Sequence, residues 1–176
     1  VKRLKGYDIR TVGSGNPGTA NVYRNAGALA GAVTLIVDAL KGYAPVHLGL
    51  RLFPERPLLA IALGAAAIVG HNWTPFLRFK GGKGVATSAG VFTALLPAPM
   101  GVAAAAFLLA VKLSGHISVG SMVGAVALPL AAALIGSPAY FTGAAAGAGA
   151  LILFKHIPNL KRLRQNKELG IHGPSA

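Results

Sequence analysis

Residues 84–113 read GVATSAGVFTALLPAPMGVAAAAFLLAVKL, and the fold turns on whether they form one membrane span or two. Pro97-Ala98-Pro99 interrupts the apolar run. Proline removes a backbone donor and crowds the preceding turn, so a helix breaks there. Charge settles the choice. With a break at Pro97, segments 1–25, 71–84, 112–118 and 155–176 share one side of the bilayer. They hold every Lys and Arg except Lys41, Arg51 and Arg56. A single span would throw the basic tail to the other side. The tendency of basic loops to stay on one face therefore favours two spans.

The rest of the chain agrees. Only 12% of residues are charged and 53% are hydrophobic, whereas a soluble domain carries roughly a quarter charged residues. Further apolar segments run over 26–53, 57–70, 119–135 and 140–154. The expected class is an all-α polytopic membrane protein with about six transmembrane helices. The segment 57–70 reaches only about 21 Å at 1.5 Å per residue, so the polar loop after it must dip towards the bilayer. Alanine and glycine dominate the spans, which suits close helix contact in lipid. There is no cysteine, so disulfides are excluded. The net charge of +13 points weakly to nucleic acid, because the basic residues cluster at the ends of apolar segments. The chain starts at Val1, and Val1–Lys5 reads as the basic flank of a span already ended. We expect a single membrane domain over residues 1–176 that lacks its first helix.

Three polar clusters fall on the basic side. The first holds Gly13, Ser14, Gly15, Asn16, Gly18, Asn21 and Arg24. Glycines let backbone N–H groups turn around a small anion, and the following helix start favours negative charge. It is not a Walker loop, since no Lys-Ser/Thr closes it. The second runs from His71 to Gly84, with Trp73, Phe76 and Phe79 as interfacial anchors. Its Gly81-Gly82-Lys83-Gly84 run reads as a second anion cradle, with Lys83 as the point charge. Thr87 lies in the small, polar first turn that follows. The third holds His156, Asn159 and Arg162 at intervals of three, then Glu168. As bland alternatives, the first cluster is a flexible turn and the third a basic tail on anionic lipid. Asp38 and Lys41 share a helical face inside a span, as a structural ion pair or as part of the site. His47, His116 and His172 read as incidental. No cofactor is expected, and without a carboxylate cluster no metal.

Together these clusters resemble the motifs of the bacterial acyl-phosphate:glycerol-3-phosphate acyltransferases, the PlsY family. Gly13-Ser14-Gly15-Asn16-x-Gly18-x-x-Asn21 resembles its first motif. His71 through Lys83-Gly84-x-Ala86-Thr87 resembles the second, and His156-x-x-Asn159-x-x-Arg162-Leu163 ending at Glu168 the third. Asp38-x-x-Lys41-Gly42 also fits. There are departures. The family commonly has Ala-Thr-Asn where this chain has Thr19-Ala20-Asn21, and Gly where it has Asn166.

The resemblance implies seven spans in the complete family member, a bacterial inner-membrane location and a site facing the cytoplasm. It implies acyl transfer from acyl phosphate to the 1-hydroxyl of glycerol 3-phosphate, giving 1-acylglycerol 3-phosphate and phosphate. The implied partners are these two substrates, membrane lipid and an upstream enzyme that forms acyl phosphate, without nucleic acid. It nominates Ser14, Asn21, His71 and Lys83 as catalytic. It nominates Gly13, Gly15, Asn16, Gly18, Arg24, Lys41, Gly81, Gly82, Gly84, Thr87, His156, Asn159, Arg162 and Glu168 as substrate- or phosphate-binding. The soluble-type His-x4-Asp arrangement is missing, since Phe76 stands five residues after His71. His71 is the best protein candidate for a base or hydrogen-bonding group, with a donor phosphate oxygen as the alternative acceptor. The competing functions are an organic-phosphate carrier or channel, and an inactive lipid-binding homologue. A carrier predicts repeats and polar residues on both faces, and neither is visible.

Overall fold

The computed structural model describes residues 6–171 and 173. The flank Val1–Lys5 and His172 lie outside them. Eight α-helices follow one another among the described residues: α1 Thr19–Ala26, α2 Ala28–Leu52, α3 Pro57–Asn72, α4 Val85–Leu95, α5 Pro97–Ser114, α6 Ile117–Leu134, α7 Ala139–Lys155 and α8 Ile157–Arg164. Six of them, α2 to α7, are apolar. Four stretches are long and apolar enough to cross a membrane: Ala28–Leu52, Pro57–Leu77, Pro97–Ser114 and Ile117–Leu134. The helices α4 and α7 are shorter.

Pro97 does break the 84–113 run. Leu96 leaves the helical region, at φ −142° and ψ 63°, because the proline ring disfavours a helical residue before it, and Pro97 opens α5 at a position that needs no donor. The expectation for 57–70 was short by two residues. α3 continues to Asn72, which places His71 in its last turn. Pro158 does not disrupt the tail, because it sits in the first turn of α8.

α4 is the hub. It packs against α2, α3, α5 and α7, and Val91, Phe92 and Leu95 on it are buried with Val46, Ile68, Leu96 and Leu128. Small residues bring α2 and α4 almost into backbone contact. A Cβ on Gly90 would lie 1.9 Å from the Ala39 carbonyl, and one on Gly42 would lie 2.2 Å from that of Thr87. Large side chains such as Leu29, Leu58, Leu113 and Leu134 face outward, as a bilayer solvent requires and water would not tolerate. Phe76 and Phe79 are exposed on the loop after α3.

Candidate active site

Two cavities meet at one end of the bundle. The larger, about 600 Å³, runs between α2, α4, α5 and α6 and is lined mainly by apolar groups such as Leu35, Met100, Phe107, Val111 and Leu128. Its polar end holds Ser14, Asn16, Arg24, His71, Lys83, His156, Asn159 and Glu168. The second, about 520 Å³, is lined by Gly15, Lys80, Gly81, Gly82, Lys155 and Arg162, with no acidic residue among its described lining. Ser14, Asn16, Lys83 and Asn159 line both. All three polar clusters therefore converge.

Lys83 sits at this junction and donates to Asn159 Oδ1. Asn159 Nδ2 donates to Glu168 Oε1 at 2.5 Å, and Arg162 Nε donates to Glu168 Oε2 at 2.7 Å. Burial works to raise the Glu168 carboxyl, but the hydrogen bonds from Asn159 and Arg162 outweigh it and hold the group below its ordinary value. Burial, then the charge of Arg162, brings the Lys83 ammonium down to about 8. His156 is lowered to about 4 by burial and by Lys83, so its ring is neutral near pH 7. Nδ1 lies 2.8 Å from the Ile152 carbonyl. That contact assigns the proton to Nδ1 and leaves Nε2 an acceptor. Arg24 Nε donates to the Gly170 carbonyl at 2.9 Å.

Two helix N-termini open on the larger cavity. Gly18, Thr19 and Ala20 begin α1, and Gly84, Val85 and Ala86 begin α4. Neither helix has a side-chain cap, so their first N–H groups offer partial positive charge to an anion.

Several nominated residues play other parts here. Asn21 is buried and its amide is fully engaged. Nδ2 donates to the carbonyls of Ile9 (2.9 Å) and Val12 (3.1 Å). Oδ1 accepts from Ser14 N (2.9 Å) and Asn25 Nδ2 (3.0 Å). With two donors and two lone pairs occupied, the Asn21 amide shapes the first loop, and the residue also lines the larger cavity. Gly13, at φ 55°, lets that loop pass the Asn21 amide and lines neither cavity. In the second cluster, Gly81 N donates to the Asn72 carbonyl at 3.2 Å and Gly82 N to that of His71 at 3.3 Å. These amides satisfy the end of α3 and are not the expected anion cradle. Lys41 pairs with Asp38 at 2.6 Å and lines neither cavity. Thr87 is buried against α2 and also lines neither.

Lys80 and Lys155 were missed, although both line the water-side cavity. Lys155 stacks 4.6 Å above the Trp73 ring. Its position next to His156, at the end of an apolar run, was the signal available.

The model of the family described as glycerol-3-phosphate acyltransferase matches residues 1–166. The chain belongs to this family. It is 44% identical over 161 residues to a glycerol-3-phosphate acyltransferase of Endomicrobium trichonymphae, covering 92% of this chain and 80% of that one. A namesake from Geotalea daltonii is 44% identical over 169 residues, covering 96% and 86%. The fold matches crystal structures of PlsY (YgiH), an integral membrane glycerol 3-phosphate acyltransferase. Its glycerol 3-phosphate form gives a TM-score of 0.91 at 33% identity, covering 96% of this chain and 84% of that one. Its lysophosphatidic acid form gives 0.85 at 31% identity, covering 89% and 80%.

The two departures from the acyltransferase pattern now have a structural setting. Asn166 has φ 54°, a left-handed conformation in which Gly is easiest and Asn is tolerated. The turn before Glu168 is therefore kept. Thr19 is the first residue of α1, and its hydroxyl is buried without a hydrogen-bond partner.

Proposed function

We propose that the protein transfers a fatty acyl group from acyl phosphate to the 1-hydroxyl of glycerol 3-phosphate, at the cytoplasmic face of a bacterial inner membrane. The carrying observation is the junction of the two cavities at Ser14, Asn16, Lys83 and Asn159. One cavity suits an acyl chain and the other, with Lys80, Lys155 and Arg162, suits a small water-borne anion. The reaction needs two phosphates close together, and cations with two helix N-termini surround the junction.

The hydroxyl oxygen attacks the acyl carbonyl carbon, and the bond from that carbon to the phosphate oxygen breaks. The hydroxyl proton leaves on the departing phosphate. His156 Nε2 accepts a hydrogen bond from the hydroxyl and aims it; with a pKa of about 4 the ring is too weak a base to remove the proton itself. Lys83 and the uncapped start of α4 stabilise the charge that moves onto the leaving phosphate. Glu168 holds Asn159 and Arg162 in place.

The test is turnover of purified protein in lipid with palmitoyl phosphate and glycerol 3-phosphate, following phosphate and acylglycerol phosphate together. Comparable kcat/KM with acyl-CoA or acyl-carrier protein would sink the donor assignment. In sealed vesicles of known orientation, product should form only when glycerol 3-phosphate is on the cytoplasmic side. Turnover from the opposite side would sink the sidedness. An organic-phosphate carrier would instead move glycerol 3-phosphate across the vesicle without releasing phosphate.

A further inference from the structure

Asp38 and His71 take no step in the reaction above, yet both side chains are largely buried among apolar helices, where ionisable groups are costly and usually functional. Asp38 Oδ1 accepts from Lys41 Nζ at 2.6 Å and faces His71 Nδ1 at 3.6 Å. The opposite edge of the same ring lies on Gly82. A methyl group there would come within 2.1 Å of His71 Nε2. Gly82 also donates its N–H to the His71 carbonyl. The ring is thus wedged between a carboxylate and the residue that precedes Lys83. The glycines on either side of Lys83 bring no side chains of their own to hold it. Resting on the function proposed above, we infer that Asp38, acting through the His71 ring, is a positioning residue that sets where Lys83 meets the reacting phosphate. A shift of about 1 Å at such a group is enough to cost activity, because the reacting geometry is narrow.

A double-mutant cycle on kcat/KM tests this. Asp38→Asn keeps the shape of the side chain and removes its charge. In the wild-type background it should lower kcat/KM about tenfold, mainly through kcat, and in the Lys83→Ala background less than about twofold, since coupled residues are not additive. If Asp38→Asn fails to fold with Lys41 left unpaired, Asp38→Asn with Lys41→Met replaces it in the same cycle. An Asp38→Asn enzyme within twofold of wild type overturns the inference. Additive losses in the two backgrounds overturn it as well, and mark Asp38 as a general structural group. The function is judged separately. If the unaltered protein shows no turnover with acyl phosphate and glycerol 3-phosphate, the reaction fails, whereas turnover with an additive cycle removes only the positioning role.

Discussion

The two glycine loops look alike in sequence and are held in different ways. Around Gly13–Gly18 the backbone is stapled by one side chain, Asn21, which reaches the Ile9 and Val12 carbonyls and the Ser14 amide. Around Gly81–Gly84 it is clasped by the end of a helix, through the His71 and Asn72 carbonyls. In each case loop amides are taken up by the protein's own groups, side chains in the first loop and helix carbonyls in the second, and positive charge around the two cavities comes from Lys80, Lys83, Lys155, Arg24, Arg162 and the starts of α1 and α4. A glycine-rich run near a phosphate site is thus not by itself a ring of free donors. Here glycine permits close approach, and neighbouring groups supply the anion contacts.

The contrast has consequences for substitution. Gly81→Ala should do the most damage. Its Cβ would lie 2.0 Å from the His71 carbonyl, a backbone atom fixed in a helix end, so the loop must lift and Lys83 with it. The expected loss in kcat/KM is about 100-fold, measured against a folded variant of unchanged melting temperature. In Gly13→Ala the left-handed φ of 55° adds strain, but the nearest atoms are the ends of the Asn21 and Asn25 side chains, which can shift at the expense of their hydrogen bonds without moving a helix backbone. A larger loss from Gly13→Ala than from Gly81→Ala would break the comparison.

Next in size is Lys83→Ala. It removes a charge-assisted contact worth about 1.5–3 kcal/mol, and part of the loss should appear in kcat because charge on the departing phosphate changes during reaction. Lys112→Ala, outside the site, is the control and should stay near wild type. If both behave alike, Lys83 merely anchors its loop.

Asn21→Asp sharpens the comparison from the other side. The shape is kept, but the two donors become acceptors facing two carbonyls. Stability should fall by roughly 1–3 kcal/mol, read from thermal unfolding, with a smaller change in kcat than Lys83→Ala produces. An unchanged melting temperature together with lost turnover would return Asn21 to the catalytic group.

The smallest effect is on pH. Lys83 acts as a cation, and with its pKa lowered to about 8 the charge is present below that value and lost as pH rises through it. We expect kcat/KM to decline above about pH 8. Lys83→Arg, which stays charged, should flatten that limb while starting from a lower rate, since a planar fork fits a tight loop poorly. A limb that stays unchanged in Lys83→Arg assigns the titration to another group.

Much of this was readable beforehand, for local reasons. Pro97 ends a helix through its own covalent geometry. Asp38 and Lys41 share a face because they are three residues apart, and they do form the ion pair. The motifs lie at span ends, so a charge count could bring them to one side. What stayed hidden depended on partners distant in the chain. The spacing around Asn21 gave no sign that its amide makes four hydrogen bonds, three to the loop and one to Asn25. The Gly81 and Gly82 amides read as free until α3 is found to extend to Asn72. Nothing in the spacing announced that His71 would sit between Asp38 and Gly82, since 33 residues separate the first pair.

The shortness of α4 has a last consequence. Eleven residues rise about 16 Å, roughly half of a 30 Å hydrocarbon layer, whereas α2 with 25 residues is long enough to cross it. On the function proposed above, a centre built on the near end of so short a helix would lie below the plane of the lipid head groups. An amphiphile can then slide sideways to it without its tail leaving the oily interior, and its acylated product can depart by the same lateral route. Only the small hydrophilic reactant and the released phosphate have to travel the remaining depth. The basic side chains of the water-side cavity make that short descent electrostatically downhill for anions.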